Sequence, residues 1–572
     1  MKKYKTSDGY HTYKIKKENK TCYLANKIVY QKDIDALLNT IDDLKYDSVI
    51  FIFGIDTGDY LGALSKLLCS KNKVFIFEPN AEIYHKHELN MANNIQLVLY
   101  EEKQLKIIMG SVVNSININN LYLHAFGNYA QIYKEEYDNL VEKLDCAYMN
   151  ASACLVLANR FREVFIQNML ANLKILNKST SINHYQSMNK NIPAIIISAG
   201  PSLDKNIKDM LQNKNKLENC FIITGSRTVD ALIKNGIKPD IILSVDPVDA
   251  NYDMMKNYLN LDIPLAFYEY SNRYLVRDYQ GEKIYMASLF SNTVQELHNL
   301  RGIYLGGSVA HGCIDMANML GCSPILLIGQ DFAYTYDKHH SDVAIHEHDK
   351  TEAYEARILT KDVFENQIKT TATLNEFRRR LEEYIEAYHL QTRVEFINCS
   401  YGAEIKGAPH QELSEVFRRE IFNNPKKRCF QYKDITIDSR EIIDSILSYI
   451  NQCIVKASQG LELCEAIILG NEPKSLIDIE EDDIDLQRIL YILQIVNDFE
   501  TASKNNYLGG YFNKFIYDIK QKAFIMLAKE YDRLTSDLQY QARAFKTYFE
   551  DMQEMLEAAK RLSLETVTEF YE

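Results

Sequence analysis

Apolar and polar positions along this 572-residue chain follow three different rhythms. Near the N-terminus, 48-SVIFIFGIDTGDYLGALSKLLCSKNKVFIFEPN-80 opens on an apolar run, breaks at Gly54 and Gly58, and continues with leucines at 61, 64, 67 and 68. A second apolar run ends at Glu78-Pro79. A run that is apolar at every position marks a strand buried on both faces, and the leucine spacing marks a helix between two such strands. The stretch reads as a βαβ unit. The runs near 105–113 and 118–121 carry no clear period. From about 151 to 178 the spacing turns helical, as at Phe161, Val164, Phe165, Met169 and Leu170.

Between 186 and 415 short apolar runs at 194–200, 221–226, 240–247, 264–270, 284–290 and 324–332 alternate with amphipathic segments such as 227-RTVDALIKNG-236 and 309-VAHGCIDMANMLG-321. Gly236 and Gly321 stand where helix C-termini favour glycine. This alternation predicts a mostly parallel sheet with helices on both faces, which binds ligands at the carboxyl ends of its strands. Beyond Pro425 only Gly460, Gly470, Gly509 and Gly510 interrupt the chain, and no proline follows Pro473. Stretches such as 484-IDLQRILYILQIVNDF-499 repeat at helical spacing, so this part reads as a bundle. The run 478-DIEEDDID-485 reads as a solvated loop or helix start, with a docking surface as the alternative. Three domains are expected: an α/β unit over 1–185, a central α/β domain over 186–415 and an all-α domain over 416–572.

Composition narrows the function. Hydrophobic residues make up 46% and charged residues 25%, as in ordinary globular proteins. The net charge of -13 argues against bulk nucleic-acid binding, which wants basic patches. The first twenty residues have no apolar core and do not read as a signal peptide. No run of about 20 apolar residues marks a membrane span. Eleven scattered cysteines form no CxxC pair, which fits reduced thiols in the cytoplasm.

Candidate chemistry gathers at the strand ends of the central region. Ala199-Gly200-Pro201-Ser202 turns a strand into a helix, and such a turn presents amides to an anion. A capped turn without a ligand is the plain alternative. The next strand ends in 224-TGSRT-228, with Thr224, Gly225, Ser226 and a cation, and the third ends in Ser244-Val245-Asp246-Pro247. Amides and hydroxyls suit a phosphate, and a carboxylate suits a ribose. Asp246 and Asp249 together resemble a hard-cation site, although a turn Asp beside a surface Asp explains them more simply. Gly306-Gly307-Ser308 open a second helix, whose first turn holds a structural His311. After Gly329-Gln330-Asp331 comes a loop with Tyr334, Tyr336, His339 and His340. Phenols that donate and an imidazole that accepts make an acid–base set.

These motifs resemble the motility accessory factor family, flagellin glycosyltransferases that transfer nonulosonic, sialic-acid-like sugars. The likeness rests on AGPSLDKN (199–206), GIKPDIILSVDP (236–247), GGSVAHGCIDMANMLG (306–321), LLIGQDFAYT (326–335), KHHS (338–341) and NCSYGAEIKG (398–407). The first region looks like that family's Rossmann-like domain. The central region is also similar to bacterial sialyltransferases that use CMP-activated donors. Carried over, the resemblance implies a nucleotide site lined by Gly200, Pro201, Ser202, Gly307, Ser308, Gly329 and Asp331, with His340 as the base. One departure concerns the leaving group. Two residues after Asp331, where the sialyltransferases carry Tyr, stands Ala333, so Tyr334 and Tyr336 are the candidate phenols.

The implied reaction moves a pseudaminic- or legionaminic-type sugar from a CMP donor to Ser or Thr of flagellin. A single displacement with one base inverts the anomeric carbon and requires no metal and no tightly bound cofactor. Preorganised donors on the leaving phosphate would supply the largest rate term. The central region also resembles archaeal-type 6-hydroxymethylpterin diphosphokinases, which would need ATP, Mg²⁺ and the Asp246/Asp249 pair. A flagellin-binding chaperone with a vestigial pocket is a third reading. Methyl transfer by the first region, resting on one Gly turn and Glu78, is a fourth.

Overall fold

The computed structural model describes residues 2–17, 20–87, 93–114, 117–288, 290–346, 358–423, 430–470, 474–477, 479–505, 516, 518–520 and 522–572. The fold is mixed α/β, with two parallel sheets and long C-terminal helices. It divides into two compact units. The first comprises Met1–Arg160, Asn451–Lys504 and Gly509–Ala558, and the second comprises Phe161–Ile450, Asn505–Leu508 and Ala559–Glu572. The boundary at 160 falls inside the helix Lys134–Leu176.

The first unit opens with an antiparallel sheet of β1 (Lys2–Lys5), β2 (His11–Lys17) and β3 (Lys20–Tyr23), in that order. In β2, Tyr13 and Ile15 are buried while Lys14 and Lys16 are exposed, which is the period-2 pattern of a one-sided sheet. Next come β4 (Val49–Phe53), β5 (Lys73–Glu78), β6 (Ile95–Leu99) and β7 (Leu121–Ala125), a parallel sheet in the order β6-β5-β4-β7. Every residue of β4 is buried, as its apolar run requires.

The expected βαβ unit is present, but its helix covers only Leu61–Ser65. The Asn72 side chain ends it early. Its carbonyl accepts from Cys69 N at 2.9 Å and its amide donates to Lys45 O at 2.7 Å, fixing a turn where the leucine spacing would continue a helix. The stretch with no clear period near 105–113 is the helix Glu102–Val112, with Leu105, Met109 and Val112 buried.

The second unit holds β8 (Thr180–Ser181), β9 (Ala194–Ile197), β10 (Phe221–Gly225), β11 (Ile241–Ser244), β12 (Leu265–Phe267), β13 (Lys283–Tyr285) and β14 (Ile325–Ile328). A hairpin of β15 (Ile358–Lys361) and β16 (Gln367–Thr370) follows, then β17 (Phe396–Asn398). Eight strands form one parallel sheet in the order β17-β14-β9-β10-β11-β12-β13-β8. All six apolar runs of the central region are strands of it. Strand order reverses between β9 and β14, and an open α/β sheet offers its ligand crevice at such a point.

Helices Ser439–Ile468, Ile484–Asn505 and Leu538–Tyr571 carry the C-terminal part, as the periodicity predicts. Pro425 and Asp478 lie outside the described residues. The rest of the acidic run is a loop and a helix start. Lys474 Nζ holds Asp483 and Asp485 at 2.8 Å each, while Glu480, Glu481 and Asp482 are exposed. No helix among the described residues is long and apolar enough to cross a membrane.

Candidate functional site

A cavity of about 300 Å³ opens at the β9/β14 crossover of the second unit. Its floor is made where the two strands run past their last paired residues. Ser198 N donates to Ile328 O and Gly200 N donates to Gly329 O, each at 2.8 Å, and Ser198 Oγ donates to Gln330 Oε1 at 2.7 Å. Ala199, Gly200, Gly329, Gln330 and Asp331 line it from these strand ends. Gly225 and Ser226 line it from β10, Asp246 from β11, and Ser308 from the start of the helix Val309–Met319. His340 completes the predicted residues that the cavity brings together, and His339 stands beside it with ring centroids 4.3 Å apart.

The opening Gly-Pro-Ser turn has a partner inside the protein. Asp331 Oδ2 accepts from Ser202 N at 3.1 Å, and Asp331 Oδ1 accepts from the Ser202 hydroxyl. Ser202 Oγ in turn accepts from Tyr401 N at 2.7 Å. The anion at this helix start is therefore the protein's own carboxylate. Ser202 is fully buried and, like Pro201, stands off the cavity. Gly200 is needed here for space, because a Cβ would lie 2.2 Å from Asp331 Oδ2 and 2.4 Å from Gly329 O. Burial pushes the Asp331 carboxyl up to about 6, against the bonds from Ser202 that hold it down. The 398–407 stretch belongs to the same knot: Gln330 N donates to Ser400 Oγ at 2.8 Å, and Ala403 N donates to Asp331 O at 2.8 Å.

The other predicted residues have distinct placements. Thr224 is buried off the cavity, where its hydroxyl donates to Ile197 O at 3.0 Å and pairs with Thr228. Gly306 and Gly307 adopt φ of +50° and +89° in the turn before Ser308, behind the cavity wall. Ser308 caps its helix by accepting from Ala310 N at 3.3 Å. His311 is structural: its Nε2 meets Phe377 O at 3.0 Å, and burial lowers its ring to about 4. Tyr334 and Tyr336 do not line the cavity. Tyr334 packs its ring 5.3 Å from His339, and its hydroxyl is buried without a hydrogen-bond partner. Tyr336 is 61% exposed at φ +56°. Burial raises both phenols. The imidazole loop is tied to the Gly-Pro-Ser turn, since Ser341 N donates to Ala199 O at 2.9 Å and Asp342 N donates to Asp204 Oδ2 at 3.1 Å.

Asp246 faces the open cavity while protein surrounds it. That burial raises its carboxyl, and the Arg227 charge partly holds it down. Its suggested metal partner is elsewhere: Asp249 Oδ1 accepts from Asn272 Nδ2 at 2.9 Å and does not line the cavity. Asn251, Leu374 and Phe377, which belong to none of the strand-end motifs, also form the wall. The last two come from the helix Ala372–His389, capped by Thr371, whose hydroxyl accepts from Leu374 N at 3.1 Å. The cap and the apolar spacing Leu374, Phe377, Leu381, Tyr384 were the available signal.

The first unit has a corresponding crossover between β4 and β7, and it is filled. A Cβ on Gly54, at φ +99°, would lie 2.3–2.5 Å from the Tyr129 ring. Glu78, the acid that takes ribose hydroxyls in dinucleotide-binding sheets, is satisfied internally. It accepts from Ile55 N at 3.1 Å, Asn80 N at 2.9 Å and the Tyr129 hydroxyl at 2.8 Å.

A family model described as 6-hydroxymethylpterin diphosphokinase MptE-like matches residues 167–337. No curated protein matches the chain in sequence. Among solved structures, the chain is similar to a MAf glycosyltransferase from Magnetospirillum magneticum AMB-1, at 13% identity and a TM-score of 0.56. The likeness covers 99% of this chain and 91% of that one. Over nearly its whole length, then, the chain has the fold of that glycosyltransferase, as the motif resemblance implies.

Proposed function

We propose that the protein is a glycosyltransferase that binds a nucleotide-activated sugar in the β9/β14 cavity. One observation carries the reading. The cavity joins Ser226, Arg227, Asp246 and the Ser308 helix start to the His339/His340 loop. A nucleotide and an acceptor hydroxyl need these two sets side by side. The fold shared with a glycosyltransferase supports it.

In the finer reading the donor is a CMP-activated nonulosonic acid, pseudaminic or legionaminic in type, and the acceptor is Ser or Thr of flagellin in the cytoplasm. The motif resemblance supports this choice. The 186–415 region would hold the donor, with Asp246 on the ribose and the Ser308 helix start near the phosphate. His340 would take the acceptor proton as the oxygen attacks the anomeric carbon. The bond to the phosphate breaks and CMP leaves, with inversion. Tyr334, packed against His339, and the exposed Tyr336 remain the candidate phenols for the leaving oxygen, although neither lines the cavity.

Incubating purified protein, flagellin and a CMP-activated nonulosonic acid should add one sugar mass to flagellin peptides. His340→Ala should retain CMP binding and lower transfer by about 100- to 10,000-fold, the usual effect of a general base. Transfer at the wild-type rate in that variant would remove His340 from the role. No transfer from any CMP-activated sugar would sink the reading itself. The family model over 167–337 favours a second reading, diphosphoryl transfer from ATP. It requires Mg²⁺-dependent ATP binding, and Asp246 would then act without Asp249.

A further inference from the structure

The Gly-Pro-Ser helix start cannot receive a ligand phosphate by its Ser202 amide and hydroxyl, because Asp331 already accepts from both. An anion in this cavity must find its donors elsewhere. The turn after β10 supplies them. Arg227 is the one Lys or Arg among the described residues that line the cavity. Its charge reaches Asp246 on the neighbouring strand end. Beside it, the Ser226 side chain is 6% exposed, lines the cavity, and leaves its hydroxyl without a hydrogen-bond partner. A buried hydroxyl in that state is costly unless a ligand or water completes it. Gly225 lets this turn meet the start of the helix Val309–Met319, since a Cβ there would lie 2.7 Å from Val309 Cγ1. That helix has 11 residues and directs its positive end to the same wall.

We propose that Arg227 and Ser226 form the anion subsite of the cavity, and that they make it selective for a nucleoside phosphate over an uncharged nucleoside. The proposal rests on the nucleotide reading of the cavity and adds the residues that recognise the charge. A guanidinium offers a planar fork to phosphate oxygens, and the Ser226 hydroxyl adds one donor. Asp246, left with a weaker counter-charge once the phosphate engages Arg227, remains an acceptor for sugar hydroxyls.

Calorimetric titration with CMP and with cytidine tests this. The wild-type protein should bind CMP roughly 10- to 100-fold more tightly than cytidine, the range of a charge-assisted contact. Arg227→Gln should lose most of that ratio, with cytidine affinity and melting temperature unchanged, and Ser226→Ala should lose a smaller part. Arg227→Lys, which keeps the charge without the fork, should fall between and serves if the glutamine variant folds poorly. A ratio that survives Arg227→Gln overturns the subsite while leaving the CMP reading intact. Silence with CMP beside Arg227-dependent ATP binding removes the cytidine donor and supports the subsite. A wild-type protein that binds neither nucleotide overturns both.

Discussion

At the scale of single residues, the motif that marks a ligand turn in the sequence is chiefly a lock. Gly200, Ser202 and Asp331 stand out as polar and small residues at strand ends, and they do converge. What the sequence could not show is that they converge on one another, because Ser202 and Asp331 are 129 positions apart. Pairing at that separation leaves no local pattern. Ser202→Ala therefore acts on the fold. It leaves the Tyr401 amide and the Asp331 carboxylate short of a partner, and should destabilise the second unit by about 1–3 kcal/mol in urea unfolding. The CMP-to-cytidine ratio of the folded variant should not change. A large loss of that ratio at wild-type stability would return Ser202 to the ligand. Gly200→Ala should be harsher, since its Cβ meets Asp331 and the Gly329 carbonyl. It should abolish nucleotide binding, and wild-type binding in that variant would mean the crossover is more yielding than the packing shows.

At the scale of elements, the buried parallel strands were the most legible parts. Their wholly apolar runs have no other comfortable place than a sheet covered on both faces. Helix lengths were less legible, because a side chain such as Asn72 can end a helix against its apolar spacing. The antiparallel β1–β3 sheet shows its alternation only around Tyr13, Lys14, Ile15 and Lys16. Tyr129 closing the first unit's crossover was invisible, since nothing between Gly54 and Tyr129 announces their contact.

That closure has a consequence for pH. Burial raises Asp56 and Glu78, from ordinary values of 3.8 and 4.5, to about 7 each. Between those values the folded unit keeps protons that the unfolded chain has released. Stability from these two groups therefore falls as pH rises through that window, and is level above it. Glu78→Gln removes one of the two titrations. The variant's unfolding midpoint, relative to wild type, should rise from about pH 5 to about pH 7.5. A gap that stays constant across that range contradicts the buried, protonated Glu78.

At the scale of the whole molecule, the chain carries two parallel-sheet units with opposite fates at the crossover. The second is open, and lined by Arg227, Asp246, Ser308 and His340. The first is filled at Gly54 by the Tyr129 ring. The fold class and the similarity to a glycosyltransferase structure were readable from motifs in the central region. The wall residues from the helix Ala372–His389 were not, because their place depends on how that helix packs over the strand ends.

In the proposed reaction the open crossover holds a CMP-type nucleotide without help from a metal. Calorimetric titration of the full chain with CMP and with ATP, each with and without Mg²⁺, tests it most directly. Saturable CMP binding that Mg²⁺ does not alter and that Ser308→Ala weakens is the expected result. Mg²⁺-dependent ATP binding with no heat from CMP would contradict it.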